Sequence, residues 1–324
     1  MIDASVAYAT PAGAPRWKRW LLFSPLARIV IFTALFIAFS FLTGGLMHAL
    51  GWGGKQSPDL EHALVQFLMR AMPALLAYLL LVKLVERRKI DELAPRRLLP
   101  EGAKGALAGL LLFSAVVGML YLLGSYHITG NNPDAKWLPA LLMVGLGAGI
   151  GEEILCRGAL FRIVEEGLGT WVALIVSALF FGAAHIANPG ATLWSSAAIA
   201  IEAGLLFGML YHVTRSLALC IGLHAAWNFA QGTIYGIPVS GLKADGWLVS
   251  TRSGPDWLSG GVFGAEASVI ALGLCSLCTL ALLAVALRRG SIVPCRPWQR
   301  LRQRFGAVEL LEASPGSSPP RATL

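Results

Sequence analysis

The chain of 324 residues is 56% hydrophobic and only 14% charged, with a mean hydropathy of +0.66. Soluble globular domains carry about a quarter charged residues, so the composition excludes that class and points to an integral membrane protein. The net charge of +8 is not gathered into a basic patch with interleaved aromatics. A nucleic-acid partner is therefore not expected, and the basic residues are read as topology signals.

In chain order, the opening MIDASVAYATPAGAPRWKRW lacks the short apolar core and cleavage site of a signal peptide. Apolar blocks long enough to cross a bilayer as helices, about 20 residues each, then fall near 28–50, 62–84, 104–125, 137–163, 170–187, 194–213, 216–235 and 264–287. The expected fold is an all-α bundle of about eight transmembrane helices with a polar intramembrane cavity. The expected organisation is an N-terminal arm over 1–27, a membrane domain over 28–288 and a tail over 289–324, disordered at its Pro/Ser-rich end.

Basic residues alternate between the two sides. Arg16, Lys18 and Arg19 precede the first span. Arg87, Arg88, Lys89, Arg96, Arg97 and Lys104 lie between the second and third, and Arg288, Arg289, Arg296, Arg300, Arg302 and Arg304 follow the last. The opposite loops carry only Lys55, Lys136, Lys243 and Arg252. The positive-inside rule then places both termini in the cytoplasm, across the cell (inner) membrane. The 50–61 and 236–262 loops, rich in Gly, Ser and Pro, read as exterior turns. Of the five cysteines, Cys275 and Cys278 form CxxC inside an apolar run with no second pair, which reads as packing.

Ionisable residues inside spans are costly, and function is the default reading for them. In GEEILCRG, Glu153 and Arg157 stand four apart with the acid first, the favourable order for a helical pair. Glu152 points about 100° away around the same helix and is free to face another group. Gly145 with Gly149, and Gly147 with Gly151, have the spacing that allows close helix approach. The next spans carry Phe181 and His185, Glu202, and His224 and Asn228. Measured from the cytoplasmic helix ends at about 1.5 Å per residue, Glu152 lies roughly 20 Å deep, His185 roughly 24 Å, His224 roughly 13 Å and Asn228 roughly 20 Å. One mid-membrane cluster is allowed. It suits activation of a water by the glutamate, with the histidines and amide either holding a metal or stabilising the oxyanion.

EEILCR, FGAAH and HAAWN match the EExxxR, FxxxH and HxxxN motifs, and the stretch over about 137–240 resembles the CAAX-protease and bacteriocin-processing (CPBP, or Abi) intramembrane endopeptidases of bacterial type. The resemblance implies a helical membrane protease whose cavity opens toward the cytoplasm. In it Glu152 activates water, Glu153 and Arg157 complete the first motif, and His185, His224 and Asn228 hold a metal or support catalysis. A divalent metal such as zinc is the implied cofactor, with no nucleotide or organic cofactor. The chain has no HExxH, the motif of the common zinc proteases. The partners expected are a peptide or membrane-protein substrate and the lipid bilayer. The competing function is a catalytically silent scaffold or bacteriocin-immunity-type binding protein, which has no need of all four Glu, His, His and Asn groups. Three smaller expectations complete the reading: Phe181 as packing, His212 as interfacial, and a salt bridge between Arg70 and Glu202 at matching depths.

Overall fold

The structure, a computed structural model, describes residues 8, 10, 11, 13–54 and 56–295. The tail expected to be disordered lies outside the described residues. A short helix α1 (Arg16–Leu21) leads into α2 (Pro25–Ala49), α3 (Asp59–Glu86) and α4 (Pro95–Leu122). Strand β1 (Tyr126–Asn131) follows, then α5 (Trp137–Leu168), α6 (Thr170–Ala187), α7 (Leu193–Thr214), α8 (217–234), β2 (Leu248–Arg252) and α9 (Val269–Arg289).

Among the described residues, seven helices are long and apolar enough to cross a membrane: α2 to α7 and α9. The remaining expected span is α8, a continuous helix that is less apolar because it carries His224, Asn228 and Gln231. Ser24, Ser216 and Ser268 accept backbone hydrogen bonds at the starts of α2, α8 and α9, satisfying donors that the first helical turn leaves free. Arg215, in the left-handed region at φ 50, makes the turn that reverses the chain from α7 into α8.

Glycine rows set the bundle's order. A Cβ on Gly222 of α8 would sit 2.1 Å from the Gly102 carbonyl oxygen of α4. Cβ atoms on Gly105 and Gly109 would meet the Leu219 and Leu223 carbonyls at 2.1 and 2.3 Å. Helices α4 and α8 therefore touch backbone to backbone. The two predicted rows of α5 face different neighbours. Gly145 and Gly149 lie against Ala225 and Ile221 of α8, whereas Gly147 and Gly151 lie against Phe67 and Arg70 of α3. Helix α5 is thus held between α3 and α8 with its glutamates inside the bundle.

The arginine-rich face is sealed by buried ion pairs. Arg28 of α2 donates to Glu86 of α3 (2.9 Å) and to Glu166 of α5 (2.6 Å), and Arg162 of α5 donates to the same two carboxylates at 3.0 Å each. His212 belongs to this layer. It is buried, with Nδ1 2.5 Å from Glu165 and Nε2 3.1 Å from Ser291, so the interfacial expectation is corrected. A helix-end position in sequence does not reveal that a neighbouring helix reaches past it.

On the opposite face, β1 and β2 pair antiparallel, so the 236–262 loop, expected to be turns, contributes a strand to a two-stranded sheet. Its strands lie more than a hundred residues apart, beyond the reach of local turn signals.

Candidate active site

The two adjacent glutamates separate as their helical angles require. Glu153 and Arg157 have no exposed side-chain surface and pair at 3.0 Å. Arg157 also donates to the carbonyls of Ala203 (2.9 Å) and Gly204 (3.4 Å), and its guanidinium lies 4.7 and 5.0 Å from the ring centroids of Phe181 and Phe207. Phe181 is therefore packing with a purpose: it covers the buried cation.

Glu153 does more than neutralise Arg157. Its Oε1 lies 2.8 Å from Nδ1 of His224. A carboxylate accepts, so Nδ1 carries a hydrogen, and in the neutral imidazole Nε2 is then the bare nitrogen. That Nε2 lies 3.9 Å from Oε2 of Glu152. This is too long for a direct hydrogen bond, and the Glu152 oxygen has no hydrogen-bond partner among the described residues. The Glu152 side chain keeps 38% of its surface accessible. One glutamate orients the histidine; the other keeps a buried oxygen without a protein partner on a side chain that is otherwise accessible.

His185, near the end of α6, lies with Nδ1 2.7 Å from the Phe181 carbonyl, which can only accept, so in the neutral imidazole Nε2 is again the bare nitrogen. Asn228 donates through Nδ2 to the Val144 carbonyl at 3.0 Å, which leaves its second amide hydrogen available. Glu152, His185, His224 and Asn228 all line one chamber of about 390 Å³. All six sequence-identified residues thus meet at one place, four at the chamber wall and two as buried support.

The Arg70–Glu202 salt bridge does not form. Arg70 lines the chamber beside Glu152 and donates to the Met143 carbonyl at 3.0 Å. Glu202 is buried behind the histidines, its Oε2 without a partner, in a separate cavity of about 40 Å³ shared with His185, His224 and Asn228. Equal depth fixed their heights but not their positions around the bundle.

The same small cavity holds two residues that the sequence reading left out, Glu266 and Ser240. The Ser240 backbone N–H donates to the Glu266 carboxylate at 2.5 Å. Burial pushes the Glu266 carboxyl above its ordinary range, against the lowering effect of the Ser240 hydrogen bond. Both lie beyond the matched motifs, one in a loop and one just before α9. No local spacing marks them.

The chamber wall extends to the loops on the face away from the arginine-rich one. The chamber lining runs from Glu152 and Cys156 through His185 and Asn188 to Val239, Ser240 and Leu242 of the opposite loops. Toward the arginine-rich face, Tyr78, Phe161, Tyr211 and Leu217 are almost fully buried in one apolar cluster.

The fit of a metal is mixed. Each imidazole donates its Nδ1 hydrogen to an acceptor, the arrangement metal-binding histidines favour. Yet among the described residues no three His, Cys, Asp or Glu side chains converge as a metal site.

Residues 134–230 match the family model described as type II CAAX prenyl endopeptidase Rce1-like. The matched stretch contains all six site residues. The search of curated proteins found no match.

Proposed function

We propose that the chain is an intramembrane endopeptidase in which Glu152 activates the attacking water, a reading supported by the match of residues 134–230 to the type II CAAX prenyl endopeptidase Rce1-like model. The observation that carries this reading is the division between the glutamates. Glu153 is fully committed to Arg157 and His224, while Glu152 is accessible and unpartnered, 3.9 Å from a bare imidazole nitrogen.

A water beside both atoms donates one hydrogen to Glu152 and the other to Nε2 of His224. Glu152 removes the proton as the oxygen attacks the scissile carbonyl. The oxyanion takes the free amide hydrogen of Asn228. Glu152 then returns its proton to the leaving amine, and His185 presents a second imidazole at the chamber wall. Glu153 and Arg157, without accessible surface, keep their charges strongly coupled behind the site.

The substrate class consistent with the chamber is a membrane-associated peptide or a membrane-protein segment. The reading is tested by comparing membrane-protein termini between cells carrying the wild-type chain and cells carrying Glu152→Gln. New termini present only with the wild-type chain are expected. Identical termini in both would remove the proteolytic assignment.

A further inference from the structure

The chamber has a continuation that neither the motifs nor the family assignment requires. A second cavity of about 250 Å³ shares Val144, Asn228, Val239 and Leu242 with the catalytic chamber. Its remaining walls come from His62 and Ala63 at the start of α3, Pro139 and Ala140 at the start of α5, and the 242–245 loop. The rim is charged with both signs. Lys136 pairs with Asp59, and Asp245 accepts from the Asn132 side chain at 2.8 Å and from the Lys136 backbone at 3.2 Å. The two cavities together lead from solvent at this rim to the amide of Asn228 and on to Glu152.

Among the described residues, the way from the site toward the arginine-rich face is filled. Below the site, Tyr78, Phe161, Tyr211 and Leu217 are packed almost without accessible surface. Beneath them lies the Arg28–Glu86–Arg162–Glu166 layer. A wide apolar groove of about 870 Å³ does reach the arginine-rich face at Lys83, Ile90 and Pro95. It runs along the other side of α5, past Ile150 and Ile154, and none of Glu152, His185, His224 or Asn228 lines it.

Which face is which follows from charge. The sealed face carries Arg16, Lys18, Arg19, Lys83, Arg87, Arg88, Lys89, Arg96, Arg97, Arg288 and Arg289, while the open face carries Lys136, Lys243 and Arg252. Short loops enriched in Lys and Arg remain in the cytoplasm. We infer that the chamber receives its substrate from the non-cytoplasmic side, through the vestibule rimmed by Asp59, Lys136 and Asp245. The substrate is then an extracytoplasmic peptide segment next to the membrane, not a cytoplasmic tail. This rests on the proteolytic reading for the word substrate; the direction of access stands on the cavities and the charge asymmetry.

The test is sided labelling of the full-length chain in its membrane. Leu242→Cys, in the loop shared by both cavities, and Val144→Cys, at their junction, are exposed to a membrane-impermeant maleimide in intact, wall-permeabilised cells and in inverted vesicles. The wild-type chain sets the background of its own cysteines, and Lys89→Cys reports the opposite face. Leu242→Cys and Val144→Cys should label several-fold above background from outside, and Lys89→Cys only in inverted vesicles. Labelling of Leu242→Cys only in inverted vesicles, or from neither side, overturns the inference. Val144→Cys protected from outside while Leu242→Cys labels would overturn the continuous route. The labelling does not depend on catalysis and is repeated in Glu152→Gln, so a failed protease assignment is read separately. As a second readout, wild-type-dependent cleavage sites should fall in extracytoplasmic segments, and an exclusively cytoplasmic set contradicts the proposal.

Discussion

Nδ1 of His224 lies 2.8 Å from Oε1 of Glu153, and the same oxygen accepts Nη1 of Arg157 at 3.0 Å. One carboxylate atom thus ties the chamber-facing imidazole to a buried cation. Neighbouring Glu152 makes no such bond, so the two acids should respond differently to substitution. Glu152→Gln removes the base without orphaning a partner. Its melting temperature should stay near wild type while cleavage falls by about 10²–10⁴-fold or more. Glu153→Ala leaves Arg157 charged and unpaired in a site without solvent, which costs about 3–5 kcal/mol. It should be lost from the folded membrane fraction before activity is measured. Equal melting temperatures for both variants, in detergent thermal unfolding, would contradict the division of roles.

The same division shows what was legible in the sequence. Helical periodicity alone separates Glu152 from Glu153, and the i,i+4 spacings place His185 and Asn228 on the faces that meet the chamber. What could not be read is angular placement around the bundle. Arg70 and Glu202 share a depth but point into different cavities. Glu266 reaches the site from a loop with no local signature. Depth measured along a helix is also silent on which residues of distant loops reach the chamber, as Val239, Ser240 and Leu242 do.

The glycine contact between α4 and α8 gives a packing prediction. A methyl on Gly222 would stand 2.1 Å from the Gly102 carbonyl, with backbone on both sides and no flexible side chain to move. Gly222→Ala should force the helices apart at a cost of about 1–3 kcal/mol. Because α8 carries His224 and Asn228, activity should fall with stability. Gly118→Ala, where the added carbon meets nothing within 4 Å, is the control and should be neutral. Equal stability of the two variants would show that α4 and α8 are not in backbone contact.

Arg70 and Glu202 offer a test of the corrected geometry. With Arg70 bonded to Met143 and Glu202 in the cavity behind the histidines, the two have no shared partner. Their effects on thermal stability should add within about 0.5 kcal/mol in the cycle of Arg70→Met and Glu202→Gln. A coupling well beyond that, or rescue by exchanging the two charges, would restore the interhelical salt bridge.

The loop between α3 and α4 carries a pH-dependent lock outside the spanning segments. Glu92 is buried, which acts to raise its carboxyl. The Arg88 guanidinium, bonded to it at 2.6 and 3.0 Å, and the Tyr78 hydroxyl together outweigh burial and hold the carboxyl below the ordinary range. A group whose folded value is lowered stabilises the fold above its unfolded value and loses that contribution as pH falls through the folded one. The lock should therefore be fully present at neutral pH and weaken progressively under acid conditions, below the usual glutamate range. Arg88→Met removes the cation that holds Glu92 and also a partner of Glu86 at 2.9 Å. In this variant the midpoint of acid unfolding should move upward in pH, and stability at neutral pH should drop by about 3–5 kcal/mol, as for any half-broken buried pair. Replacing both members, Arg88→Met with Glu92→Gln, should recover part of the neutral-pH loss because no uncompensated charge remains at that position. An acid midpoint unmoved by Arg88→Met would mean that Glu92 is held by something other than its guanidinium neighbour.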